Sequence, residues 1–137
     1  MQPTLRTLIL SALLLAGCQG GEQRVAHPPA AVAENLEAFL IESAASDFKK
    51  HVAAEGVSFR NVHLGVFRGG NGATVNLMCG EFRTADNAAD WEPFATLRTE
   101  GYENWLGGSA AAYCRGSNTV LDTNRDLAAA LSAQYHL

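Results

Sequence analysis

Apolar residues recur at every fourth position in the first long segment of the chain that follows its two consecutive prolines. This spacing is typical of an amphipathic helix with one buried face, and we predict a helix over residues 32–55 that ends before Gly56. A Ser-Ala-Ala-Ser-Asp run at 43–47 allows a kink or a break in this helix. The apolar positions are Val32, Leu36, Leu40, Ala44, Phe48 and Val52.

The segment 59–83 has the alternating pattern of two strands joined by a turn. Apolar and polar residues alternate at 62–66, and a Gly-Gly-Asn-Gly turn follows at 69–72. Such residues tolerate the positive φ angles of tight turns, so the segment predicts a β-hairpin. The return strand places Val75, Leu77 and Cys79 on one face. Two phenylalanines, Phe59 and Phe67, fall out of this alternation, which indicates either a bulge at residue 65 or partial cover on the second face.

The remaining segments predict a third strand at 94–99, an aromatic-rich loop around 101–108 and a short fourth strand at 110–115. A last helix has apolar residues at 127, 131 and 135, with Asp122 or Thr123 as its N-cap. The fold class is therefore α+β. We predict a small antiparallel sheet of about four strands packed with an N-terminal and a C-terminal helix.

The first 18 residues have the parts of a secretory signal: Arg6, an apolar run over 8–15, and small residues before Cys18. Leu-Ala-Gly-Cys at 15–18 resembles the lipobox of bacterial lipoproteins; the alternative is an ordinary secretory signal with a chance cysteine. The resemblance implies cleavage before Cys18 and acylation of this residue, which then anchors the chain in a membrane. We expect a signal peptide at 1–17, a lipidated tether at 18–31 and one small α+β domain at 32–137. By the same resemblance, Gln19 after Cys18 implies the outer membrane, facing the periplasm.

Composition and cysteine content limit the possible partners. The chain has 10 basic and 14 acidic residues and a net charge of −4, which argues against nucleic acid as a partner. Cys79 and Cys114 remain once Cys18 carries lipid, and an isolated pair in an oxidising periplasm usually forms a disulfide. Two buried free thiols or a metal site are the alternatives, but zinc would need two further ligands. We expect no metal and no cofactor.

The central part of the chain contains three short motifs: Phe-Arg-Asn-Val at 59–62, Cys-Gly-Glu at 79–81 and Tyr-Cys-Arg at 113–115. Together they resemble a group of small secreted bacterial proteins of unknown function. The resemblance supports the pairing of Cys79 with Cys114. The chain departs from that group at 82–90, which is acidic and alanine-rich where the group has an Asn-rich, Gly-Gly-Tyr stretch.

Candidate catalytic residues are few. Neither Ser109 nor Ser117 lies in a Gly-x-Ser-x-Gly elbow. Glu81 together with Asp86 or Asp90 could act as the carboxylate pair of a cell-wall hydrolase, but nothing in the spacing requires this and we favour solvated loop acids. We therefore predict that the chain is not an enzyme.

The candidate partner-binding residues are aromatic, because exposed Trp and Tyr often anchor interfaces. They have acidic neighbours, and a role in capping the core is the alternative. We expect an envelope lipoprotein that binds or scaffolds another envelope component. The alternative is an inhibitor of a periplasmic or invading hydrolase such as lysozyme. The candidate residues are Trp91, Phe94, Tyr102 and Trp105, and the acids beside them are Asp90, Glu92, Glu100 and Glu103.

Overall fold

A computed structural model of the chain describes residues 30–52, 56–121 and 125–137. The expected signal peptide, Cys18 and the tether up to residue 29 lie outside these residues. Within them the elements are α1 (Ala30–His51), β1 (Ser58–Arg68), β2 (Thr74–Arg83), a 3-10 helix (Ala85–Asn87), β3 (Glu92–Arg98), β4 (Tyr102–Leu106), α2 (Gly107–Arg115), β5 (Ser117–Leu121) and α3 (Leu127–Tyr135).

The five strands form one antiparallel sheet in the order β4-β3-β2-β1-β5. Helices α1 and α3 cover one face, here called the α1 face, and α2 covers part of the opposite face, here called the α2 face. The predicted α+β fold, an antiparallel sheet with helices before and after it, is confirmed. No helix in the described part of the chain is long and apolar enough to cross a membrane.

The first helix forms the centre of the larger core. Leu40, Ala44 and Phe48 are fully buried, as their four-residue spacing predicts. The helix runs through residues 43–47 without a break. The Phe48 ring makes edge-to-face contacts with three other phenylalanines at centroid distances of 4.9 to 5.3 Å, a geometry that adds to the stabilisation from burial.

The predicted hairpin is present, and its two irregular phenylalanines have different explanations. The bulge lies between Arg60 and His63 rather than at residue 65, and it brings Phe59 onto the α1 face with the rest of the larger core. Phe67 lies on the α2 face and packs in the second core. One phenylalanine thus reflects a bulge and the other reflects a sheet covered on both faces.

The prediction of a strand at 110–115 is wrong, because these residues belong to α2. Gly107 has a φ of +64°, which turns the chain out of β4 and into the helix. Ala110, Tyr113 and Cys114 then face the sheet together, and their i, i+3, i+4 spacing is helical. The aromatic-rich segment expected to be a loop contains β4, and β5 was not predicted, so the sheet has five strands.

The last helix is present as predicted, with a different cap. Asp126 is its N-cap, and its Oδ1 accepts a hydrogen bond from the Ala129 amide at 3.1 Å. The predicted caps, at residues 122 and 123, lie outside the described residues. Leu127 and Leu131 are buried against α1 and the sheet, so the apolar spacing identified this helix correctly.

Candidate partner-binding site

The four predicted partner-binding aromatics do not form one patch. Phe94 is fully buried, so its assignment to a binding surface is wrong: it sits on the α1 face of β3, in ring contact with Phe48. Trp91 and Tyr102 are half-buried, whereas Trp105 is 39% exposed. Trp105 is therefore the member of the set that a partner can reach most directly.

Trp105 stands at the outer end of a short aromatic column, which we define as Trp105, Tyr113 and Phe67. The ring centroids of Trp105 and Tyr113 are 5.9 Å apart, and those of Tyr113 and Phe67 are 5.1 Å apart. The Trp105 Nε1 donates to Glu103 Oε2 at 3.2 Å. Since α2 carries Tyr113 and the sheet carries Phe67, the column fixes the indole against packed elements and leaves its outer side in solvent.

The next residue adds a second exposed apolar side chain at the same end of β4. Leu106 is 38% exposed, close to the value for Trp105. In the register with β3, Trp105 stands opposite Ala95 on the α2 face, and Leu106 stands opposite Phe94 on the α1 face. The two side chains therefore point to opposite faces of the sheet at the end of its edge strand. Sequence reasoning missed Leu106 because it placed the segment in a loop.

The α1 face of β4 is held by a chain of side-chain hydrogen bonds. The fully buried Thr96 donates to Asn104 Oδ1 at 2.7 Å, and Asn104 Nδ2 donates to Asp47 Oδ2 at 2.8 Å. The Tyr102 hydroxyl donates to Asp47 Oδ1 at 3.5 Å. Burial raises the pKa of Tyr102, and the nearby Asp47 charge raises it further. Satisfied buried polar groups of this kind fix β4 against α1.

A second polar cluster brings together residues from two of the sequence motifs. Glu81 accepts hydrogen bonds from Arg60, Nε to Oε2 at 2.9 Å and Nη2 to Oε1 at 3.3 Å. The Asn61 side chain, at the β1 bulge with a φ of +54°, donates to Glu81 Oε2 at 2.7 Å. The Arg60 and Asn61 hydrogen bonds lower the pKa of Glu81. The carboxylate is thus kept ionised.

Trp91 belongs to this polar cluster rather than to the aromatic column. The Arg60 guanidinium lies 4.2 Å and the Arg83 guanidinium 4.6 Å from the centroid of the Trp91 ring. Arg83 Nη1 also donates to the Ala88 carbonyl at 3.2 Å. These cation–π contacts hold the connection between β2 and β3 against the sheet. Sequence spacing gave no sign of them, because the two arginines lie on different strands.

Cys79 and Cys114 form a disulfide, which confirms the predicted pair and sets aside the two alternatives of free thiols and a metal site. The bond joins β2 to α2, directly beside the Tyr113 that supports Trp105. Within the described ranges, no three His, Cys, Asp or Glu side chains lie close enough to hold a metal ion.

Comparisons with models of protein families, with curated proteins and with solved structures give no match for this chain. A functional proposal therefore depends on the residues of the chain itself. The resemblance of its short motifs to small secreted bacterial proteins stays a prediction.

Proposed function

We propose that this chain is a bacterial envelope lipoprotein that binds another envelope protein through Trp105 and Leu106. In this proposal an acylated Cys18 anchors it in the outer membrane, facing the periplasm. The observation that carries the binding role is the exposure of two adjacent large apolar side chains, at 39% and 38%, on a strand at the edge of the sheet. Exposed Trp residues held rigidly by neighbours are frequent interface anchors.

The environment of Glu81 does not suit it to be the general acid of a cell-wall hydrolase. A general acid in glycoside hydrolysis needs a carboxyl whose pKa is raised so that it carries a proton at working pH. Glu81 has the opposite property, because Arg60 and Asn61 donate to it and lower its pKa. We assign this residue to holding β1 and β2 together.

One observation favours inhibition of a hydrolase as a second candidate. Glu103 lies beside Trp105 and accepts its indole N–H, so the apolar surface has an acidic neighbour that suits a basic enzyme such as lysozyme. Measuring lysozyme activity with and without the purified chain tests this candidate. Inhibition that Trp105→Ala abolishes would favour it over a scaffold role.

The main proposal is tested by in-cell crosslinking of the lipidated protein, followed by mass spectrometry of the captured proteins. Cys18→Ser is the control for anchoring. Leu137→Ala is the matched control for Trp105→Ala. Leu137 is also an exposed apolar residue, at 90%, but it lines a groove between α1 and α3. We expect one envelope protein that is enriched with the lipidated chain and with Leu137→Ala.

Capture of that partner by the Trp105→Ala chain should fall by about tenfold or more, as is usual when a central interface anchor is truncated. Circular dichroism of the variant checks that it still folds. Equal capture by both variants would exclude Trp105 as the anchor. Equal capture by the lipidated chain and Cys18→Ser would show that binding does not need the anchor, and capture of no partner by either would refute the binding role itself.

A further inference from the structure

The strand that carries Trp105 has one side that is paired with no other strand of the described residues. In the sheet order β4 is terminal and pairs with β3, and no other described strand lies beside it. Three of its five residues are exposed. An uncovered edge strand presents backbone N–H and C=O groups that another extended chain can pair with.

Three exposed carboxylates lie on or near this edge strand. Glu103 is exposed and, with Trp105, lies on the α2 face, where its register partner is the buried Leu97. Glu92 and Glu100 are exposed at the start of β3 and in the turn before β4.

The nearby cation does not neutralise these carboxylates. Arg98 stands opposite Tyr102 in the register, and its guanidinium lies 3.5 Å from the centroid of the Phe39 ring on α1. It is thus directed to the α1 face, away from Glu103. Glu103 thus gives the α2 face of this edge a negative charge, and a basic segment complements it.

We propose that β4 accepts an extended, basic segment of the partner protein as an additional strand of the sheet. This inference rests on the proposed binding function and names the part of the partner that is bound. Successive residues of the added strand alternate between the faces. Its basic residues lie beside Glu103 on the α2 face, and its apolar residues lie beside Leu106 on the α1 face.

A second copy of the chain fits this edge less well. It would bring the same carboxylates of Glu92, Glu100 and Glu103 to both sides of one junction, and like charges in close contact disfavour pairing. A dimer formed through β4 is therefore an outcome that would overturn the proposal.

The experiment uses the full chain and two synthetic peptides, one alternating Lys and Val and the other alternating Glu and Val. Hydrogen exchange at residues 102–106 is measured by mass spectrometry, and affinity is measured by titration. We expect the Lys-Val peptide to bind and to slow exchange at residues 102–106. The Glu-Val peptide should bind at least about tenfold more weakly, and added salt should weaken the Lys-Val complex.

Charge reversal provides the matched test. Glu103→Lys should weaken binding of the Lys-Val peptide by about tenfold, because it replaces an attraction with a repulsion, and Glu103→Gln should have an intermediate effect. Asp86→Lys makes the same change of charge at an exposed residue of the 3-10 helix and should alter affinity less than about twofold.

Besides a dimer through β4, three results would overturn the inference: no binding of the Lys-Val peptide, equal binding of both peptides, or binding that leaves exchange at residues 102–106 unchanged. Each is distinguishable from failure of the proposed function. If crosslinking captures a partner in a Trp105-dependent way while the edge is not protected, the chain binds by its side chains alone.

Discussion

Loss of the disulfide between Cys79 and Cys114 should destabilise the domain and detach α2. The two cysteines are 35 residues apart in sequence, and the chain-entropy relation gives a stabilisation of about 4 kcal/mol for closing a loop of that length. The free energy of unfolding of a small domain is about 5 to 15 kcal/mol. Removal of this one bond should therefore cost a large share of the free energy of unfolding.

The structure indicates where that loss appears first. Helix α2 has nine residues, and isolated helices of this length are not stable in water. Its other contacts with the sheet include the burial of Ala110 and the ring contacts of Tyr113 with Phe67 and Trp105. We expect reduction to speed hydrogen exchange throughout α2 and to remove the support that Tyr113 gives to Trp105.

Urea unfolding of the Cys18→Ser chain, followed by circular dichroism with and without reductant, tests this prediction. The double variant Cys79→Ala, Cys114→Ala should match the reduced chain in stability and should not respond to reductant. A loss of less than about 1 kcal/mol on reduction would refute the entropic argument. Unchanged exchange in α2 would refute the claim that the bond holds this helix on the sheet.

Three further predictions follow from single contacts. The pKa of Glu81 is lowered by its hydrogen bonds, chiefly that from Arg60. The stability that the ionised carboxylate contributes is therefore present above its usual pKa and is lost as pH falls through the lowered value. In urea titrations at graded pH, the difference in free energy of unfolding between the chain and Glu81→Gln should shrink over that range. A methyl group at Gly80 would lie 2.6 Å from Phe94 Cε1, so Gly80→Ala should lower the free energy of unfolding by about 1 to 3 kcal/mol, and an unchanged urea midpoint would contradict this packing. Asp126→Ala removes the α3 N-cap and should lower the free energy of unfolding by about 1 kcal/mol. Asp126→Asn keeps a capping side chain and should keep most of that stability. Equal losses in the two variants would show that the cap is not the cause.

Local patterns in the sequence identified the elements whose periodicity is regular. The four-residue spacing around Leu40 and Phe48 identified α1, the alternation around Leu64 identified the hairpin, and the spacing from Leu127 identified α3. Each helix buries one face, so burial imposes a period that can be read from a single sequence, and the hairpin was identified by local alternation beside a glycine-rich turn.

The two main errors have different causes. Residues 110–112 are three alanines, which favour a helix, so the strand prediction missed a local signal, and the helix packs Ala110 on the α2 face. Phe94 lies near Trp91 in sequence, yet the pairing of β3 with β2 places it in the core. Local composition does not contain this information, because tertiary contacts override local propensity.

The sequence by itself determined the α+β class, the α1 and α3 helices, the hairpin and the pairing of two cysteines. These depend on local periodicity, on turn residues and on the count of the remaining thiols. Only the tertiary structure decided that β4 is an edge strand, that Trp105 rests on Tyr113 and that Trp91 lies between two arginines. The physical reason is that strand order and cross-strand contacts join residues far apart in the chain, so exposure at the candidate site is a property of the packed sheet.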